Sequence, residues 1–140
     1  MKSLRTLLKV ARADLETLRR AMGEQMQRQV ALEQRILGHE QTIISEQKRA
    51  QQDYESARAY GGYAAAAVAT RRALASERDI IEAEVSRLRE LIAAAHIEAR
   101  KFERLIELQE QRERSAREKR EADALDEMAT MRAGRALNQR

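Results

Sequence analysis

Apolar residues recur at alternating spacings of four and three along most of the chain, and this repeat constrains the fold more than any other feature. A first run from Leu4 to Tyr60 has twelve apolar residues at its seventeen positions. A second run from Ala67 to Ala116 has eleven at fifteen. Such a repeat places one apolar stripe along a helix, as in coiled coils. The sequence therefore predicts an all-α coiled-coil protein.

Composition excludes a compact globule. The 140 residues contain no proline and 3% aromatic residues, whereas 36% are charged. A round core needs bulky side chains from several directions, but two helices need only a stripe each. Long helices joined by a turn are the expected architecture.

The turn is expected at Gly61 and Gly62, because two glycines inside a helix cost about 2 kcal/mol relative to alanine. The predicted organisation is one coiled-coil hairpin over residues 1–140. Its parts are a first helix over about 3–60, a turn at 61–63, a second helix over about 64–122 and a basic C-terminal tail at 123–140.

Polar residues on the stripe favour this antiparallel hairpin over a parallel dimer. If residue i faces residue 124 − i, Glu46 meets Arg78 and Asp53 meets Arg71. A parallel dimer would instead stack each charge on its own copy, and partly buried like charges repel. The fold class predicted is a long antiparallel two-helix hairpin.

No residue pattern points to catalysis, a cofactor or a metal. Cysteine is absent, and the two histidines are His39, expected to pack on the stripe, and His96. The chain contains no P-loop, and a pair of helices provides no enclosed pocket. No stretch reaches the length of about 20 apolar residues that a membrane span needs. We expect a cytoplasmic protein that is not an enzyme and acts by binding partners.

Basic residues gather near both termini. They are Lys2, Arg5, Lys9, Arg12, Arg19 and Arg20 at the start and Arg132, Arg135 and Arg140 at the end. The predicted hairpin brings both stretches to its open end, and we expect this end to bind an acidic surface of a partner. A generic basic adaptor for nucleic acid or an anionic membrane is the runner-up, although the patch lacks interleaved aromatic residues. Two further alternatives are that the basic patch is only a solvated helix end and that the chain is a structural spacer.

The three tyrosines, Tyr54, Tyr60 and Tyr63, fall near the predicted turn. Tyrosine is enriched at binding hot spots, so the cluster suggests a docking surface. An equally good reading is that Tyr60 closes the last layer of the stripe and Tyr63 shields the turn.

The opening segment Leu4–Ala11, the two helical arms and the closing Leu125-Asp126-Glu127-Met128-Ala129, followed by arginines, resemble the FliJ family across essentially the whole chain. FliJ proteins are cytoplasmic components of the flagellar type III export apparatus. The resemblance implies a hairpin similar to the γ stalk of rotary ATP synthases. It also implies a location at the cytoplasmic face of the inner membrane, held there by partners.

The resemblance implies three partners: the hexameric export ATPase, the cytoplasmic domain of the export gate and export chaperones. Nucleic acid is not expected. The residues matched to the ATPase-binding base are Leu4, Arg5, Leu8, Lys9, Arg12, Asp126, Glu127, Met128 and Arg132. The gate-binding tip would carry Tyr54, to which the cluster adds Tyr60 and Tyr63.

Overall fold

The computed structural model describes residues 2–139, which form two helices. Helix α1 spans Lys2–Ala50 and helix α2 spans Tyr54–Asn138, and the described residues contain no strand. Two compact units are present: a hairpin unit, Asp14–Ala95, and a terminal unit, Met1–Ala13 with His96–Arg140. In each unit the two helices pack antiparallel. The predicted all-α, two-helix coiled coil is confirmed.

The turn lies at residues 51–53, so the turn predicted at 61–63 is wrong. The Gln51 and Gln52 amides donate to the carbonyl oxygens of Lys48 and Arg49, which closes the last turn of α1. Asp53 then caps α2, because its Oδ1 accepts a hydrogen bond of 2.6 Å from the Ser56 amide. Such a cap satisfies one of the amides that a helix start leaves without a partner.

Gly61 and Gly62 lie inside α2, and neither has a positive φ. A helical glycine costs only about 1 kcal/mol relative to alanine. The capped turn and the packing of the stripe outweigh that cost.

The register of the hairpin unit also differs from the predicted one. Glu33 pairs with Arg78 at 3.0 Å and Glu40 with Arg71 at 2.8 Å, so residue i faces about residue 111 − i. The expected partners Glu46 and Asp53 lie at or near the turn instead. The change from 124 to 111 is close to two heptads, and a shift by whole heptads leaves the same rows facing each other.

The core of the hairpin unit consists of stripe residues, as predicted. Leu32, which is 2% exposed, packs with Leu74, Ile81 and Val85. Met22 and Ile36 are half-buried against this cluster.

The terminal unit has a shorter core. Leu8, Ala11 and Ala99 are buried, and Phe102 and Ile106 pack against them. Arg12 pairs with Glu103 at 3.2 Å and Arg5 with Glu110 at 3.3 Å, so residue i faces about residue 115 − i.

Helix α2 extends well beyond the start of α1. Every described residue from Glu110 onward is exposed, and the helix ends at Asn138. The predicted helix end near 122 is therefore wrong. Alanine, glutamate, arginine and lysine favour the helix here, and without proline a single glycine does not end it.

Candidate interaction surfaces

The basic residues of α1 in the terminal unit are partly neutralised. Arg5 and Arg12 are more than half exposed, but each forms its ion pair with a glutamate of α2. Lys9 is exposed between them. Of the two leucines matched to the base, Leu4 is half-buried and Leu8 is buried in the core. Leu8 therefore holds the helix pair together and is closed to a partner.

The remaining residues matched to the base lie on the exposed end of α2. Asp126, Glu127, Met128 and Arg132 are all exposed. The same segment carries large apolar side chains open to solvent, namely Leu125, Met128, Met131 and Leu137. We call residues 111–138 the C-terminal extension.

The two basic stretches do not meet, contrary to the prediction. Arg5 lies beside Glu110, whereas Arg132 is 22 residues further along α2, roughly 33 Å at 1.5 Å per residue. The predicted register paired α1 with a later part of α2, and it therefore placed the two basic stretches closer together than they are. The basic end of α1 and the C-terminal extension are separate surfaces.

The tyrosines differ in their availability. Tyr54, in the first turn of α2, is 80% exposed. Tyr60 and Tyr63 are half-buried, with ring centroids 6.1 Å apart. The Tyr63 hydroxyl is buried without a hydrogen-bond partner, and burial, followed by the nearby Glu46 and Tyr60, raises its pKa. Tyr54 is thus open to a partner, while Tyr60 and Tyr63 pack against the helix pair.

A second apolar row on α1 was missed by the sequence reasoning. Met26, Val30, Leu37 and Ile44 are each more than half exposed. Each lies one residue after a stripe position, at Gln25, Gln29, Ile36 and Ile43, so the four residues are spaced by four, seven and seven and share one side of the helix. The prediction of contact surfaces considered only the stripe, although the regular spacing of this neighbouring row is visible in the sequence. We call these four residues the α1 outer row.

His39 has a structural role, as expected. It is half-buried, and its Nε2 lies 3.2 Å from the carbonyl oxygen of Ala67 on α2. The ring can therefore donate a hydrogen bond across the helix pair. Within residues 2–139 no group of three or more His, Asp or Glu side chains is arranged to hold a metal ion.

Within residues 2–139, no helix is both long enough and apolar enough to cross a membrane.

The model of the flagellar FliJ protein family matches residues 1–138. This chain belongs to the FliJ family. No match was found among curated proteins or among solved structures. Membership makes the chain a component of flagellar protein export. The family assignment and the long helices agree on a coiled-coil protein that works within the export machinery.

Proposed function

We propose that this cytoplasmic FliJ-family chain couples the hexameric export ATPase to the export gate and helps to handle export chaperones. In this proposal the C-terminal extension, with Lys9 and the paired arginines of α1, binds the ATPase. Tyr54 binds the cytoplasmic domain of the gate, and Tyr60 and Tyr63 support the surface around Tyr54. The chain itself stays at the inner membrane only through these partners.

The C-terminal extension is the observation that carries the proposal. A helix free of tertiary packing from Gln111 to Asn138 can enter a cleft in a partner without unfolding anything. It displays acids at Asp126 and Glu127 and a base at Arg132. Ordering a preformed helix costs less conformational entropy than folding a disordered segment on binding.

Copurification with the cognate flagellar export ATPase tests the first contact. In this proposal Asp126 and Glu127 face basic groups of the ATPase. We expect Asp126→Arg/Glu127→Arg to weaken binding, and the stimulation of ATPase ring assembly, by about tenfold or more, since the facing charges become alike and repel. Lys9→Glu should have a smaller effect in the same direction.

The matched control is Asp79→Arg/Glu82→Arg, which makes the same charge change at exposed positions of the hairpin unit. It should bind as the wild type does. Failure of the wild-type chain to bind, or equal binding by the variant and its control, would contradict the ATPase contact.

Exposure supports Tyr54 as the gate contact, because an aromatic ring that is 80% exposed gains contact area when a partner covers it. The purified cytoplasmic domain of the gate should bind the wild-type chain more tightly than Tyr54→Ala. Tyr60→Phe is the control, since it keeps the packed ring. Equal affinity of all three chains would remove Tyr54 from the interface.

The α1 outer row supports chaperone binding, because helices commonly dock on rows of this spacing. Val30→Asp/Leu37→Asp should abolish binding of a flagellar export chaperone that the wild type retains. Ile80→Asp changes a similarly exposed apolar residue of α2 and should leave binding intact. Retention by the double variant would assign the chaperones to another surface.

A generic basic adaptor is less well supported. Arg5 and Arg12 already face Glu110 and Glu103, which lowers the positive field available to phosphates. Binding to nucleic acid or anionic vesicles would fall steeply with salt. Strong binding of that kind, in the absence of ATPase binding, would favour the adaptor. A chain that binds none of these partners would be a structural spacer.

A further inference from the structure

The C-terminal extension has a regular row that the packing with α1 does not use. Its members, spaced alternately by three and four, are Glu118, Glu121, Leu125, Met128, Arg132 and Arg135. All six are exposed. The row has two acids, then two large apolar residues, then two bases, so its charges reverse about its centre.

This row is out of phase with the side of α2 that faces α1. The α1-facing positions Ala99, Phe102 and Ile106 continue at the same spacing to Glu113, Arg120 and Asp123. Apart from the small Ala116, the positions that follow on this side are polar, so a prolongation of α1 would find little apolar surface there. The apolar centre at Leu125 and Met128 lies on another face, which needs a different helix to cover it.

We propose that two copies of this chain associate through this row as an antiparallel helix pair. With residue i opposite residue 253 − i of the second copy, Leu125 packs on Met128 of the second copy. Glu121 then faces Arg132, and Glu118 faces Arg135. Two-fold symmetry repeats each contact, giving an apolar centre of four side chains between four acid–base pairs.

Charge pairing selects this arrangement over a parallel one. A parallel pair in register would place each of the four charged residues against its own copy. Within the described residues none of the four makes an ion pair, so all are available. Opposite charges at facing coiled-coil positions set orientation and partner choice.

The length of the extension also fits a second copy. In the proposed register Gln139 of the second copy lies opposite Arg114. Helix α1 begins at Lys2, and the register of the terminal unit places that residue beside about position 113. The second copy therefore covers the exposed part of α2 and ends where α1 begins, without overlapping it.

Sedimentation equilibrium of the full chain over a wide concentration range tests the association. The mass should rise toward twice the 16.1 kDa of one chain and should fall back at high salt, which screens the ion pairs. A single-chain mass at every concentration would overturn the proposal.

Charge exchange tests the register. Glu118→Arg/Glu121→Arg and Arg132→Glu/Arg135→Glu should each weaken dimerisation by about tenfold or more, because facing charges become alike. An equal mixture of the two variants should form a mixed dimer. The chain that carries all four changes should dimerise as the wild type does. Absence of both recoveries would contradict the pairing.

Matched controls change equal charge away from the row. They are Glu113→Arg/Asp123→Arg and Arg112→Glu/Arg120→Glu, and both should still dimerise. Loss of dimerisation in the controls as well would mean that net charge, not the row, governs association.

Disulfide formation distinguishes the two orientations. A mixture of Glu121→Cys and Arg132→Cys chains should cross-link, whereas each alone should not. Two copies of residue 121 would lie 11 residues from facing each other, roughly 16 Å along the axis. Efficient cross-linking of either variant alone would indicate a parallel pair and overturn the antiparallel one.

Discussion

The hairpin unit and the terminal unit use the same two helices in different ways. In the hairpin unit α1 and α2 share a continuous apolar stripe and are joined by a capped turn. In the terminal unit the shared core is short, and α2 continues through residues that are all exposed. The hairpin unit stabilises the fold, whereas the exposed part of α2 is free to bind a partner. Substitutions should therefore lower the free energy of unfolding far more in the hairpin unit than in the exposed part of the terminal unit.

Removing a large leucine should reveal the greatest difference. Leu32 is 2% exposed in the hairpin unit, so Leu32→Ala should lower the free energy of unfolding by about 2–5 kcal/mol through lost burial and the cavity left behind. Leu125→Ala removes the same atoms from a side chain that is 67% exposed, and should change stability by about 0.5 kcal/mol or less in the monomer.

Urea unfolding followed by circular dichroism measures both values, at a concentration where the chain is monomeric. Similar losses for the two variants would mean that the extension contributes to the folded core.

The helical glycines provide a stabilising counterpart. Gly61→Ala/Gly62→Ala should raise the free energy of unfolding by about 1–2 kcal/mol, because alanine loses less backbone entropy in a helix. A Cβ at either position meets no atom within 4 Å.

Thermal unfolding reports the gain from these substitutions. Gly23→Ala is the matched control within α1, where a Cβ is equally free of contacts. If the chain turned at the glycines, the double substitution would destabilise it while the control would not.

Fold class follows directly from the sequence, but the turn and register do not. The 4-3 repeat identifies the buried rows, and Leu32, Leu74 and Leu88 are buried as it indicates. A repeat looks the same after a shift of two heptads, so it cannot choose between registers. The arginines Arg71 and Arg78 do not decide either, because acids are available to them at more than one level of α1.

The residues that end α1 and cap α2 indicate where the turn lies. Lys48 and Arg49 in the last turn of α1 and Asp53 at the start of α2 mark a helix end and a helix start. The candidate site was only partly predictable for a related reason. Leu8 is an apolar residue of the kind expected at a contact with a partner, but it is buried in the core. Met26 and Leu37 are exposed, because α2 covers only the neighbouring row.

The ion pairs across the hairpin unit should contribute much less than its core. Glu33 and Arg78 are about half exposed, so their coupling energy should be about 0.2–1 kcal/mol. A double-mutant cycle with Glu33→Gln and Arg78→Gln measures it, and the coupling should shrink in high salt. A coupling near zero between Glu46 and Arg78 provides the control. A larger value for that second pair would restore the register in which residue i faces 124 − i.

The smallest effect expected is the dependence of the turn on pH. The hydrogen bonds from Ser56, backbone first and then side chain, hold the pKa of Asp53 below its ordinary value of 3.8. A carboxyl group whose pKa is lowered by folding stabilises the folded state above its ordinary pKa, and that contribution is lost as the pH falls through the lowered value. Asp53→Asn should keep the cap and lose only this part of the acid dependence, whereas Asp53→Ala should lose both. Thermal unfolding of the three chains between pH 7 and about pH 3 separates these outcomes. Identical profiles for the wild type and Asp53→Ala would show that α2 does not begin at this cap.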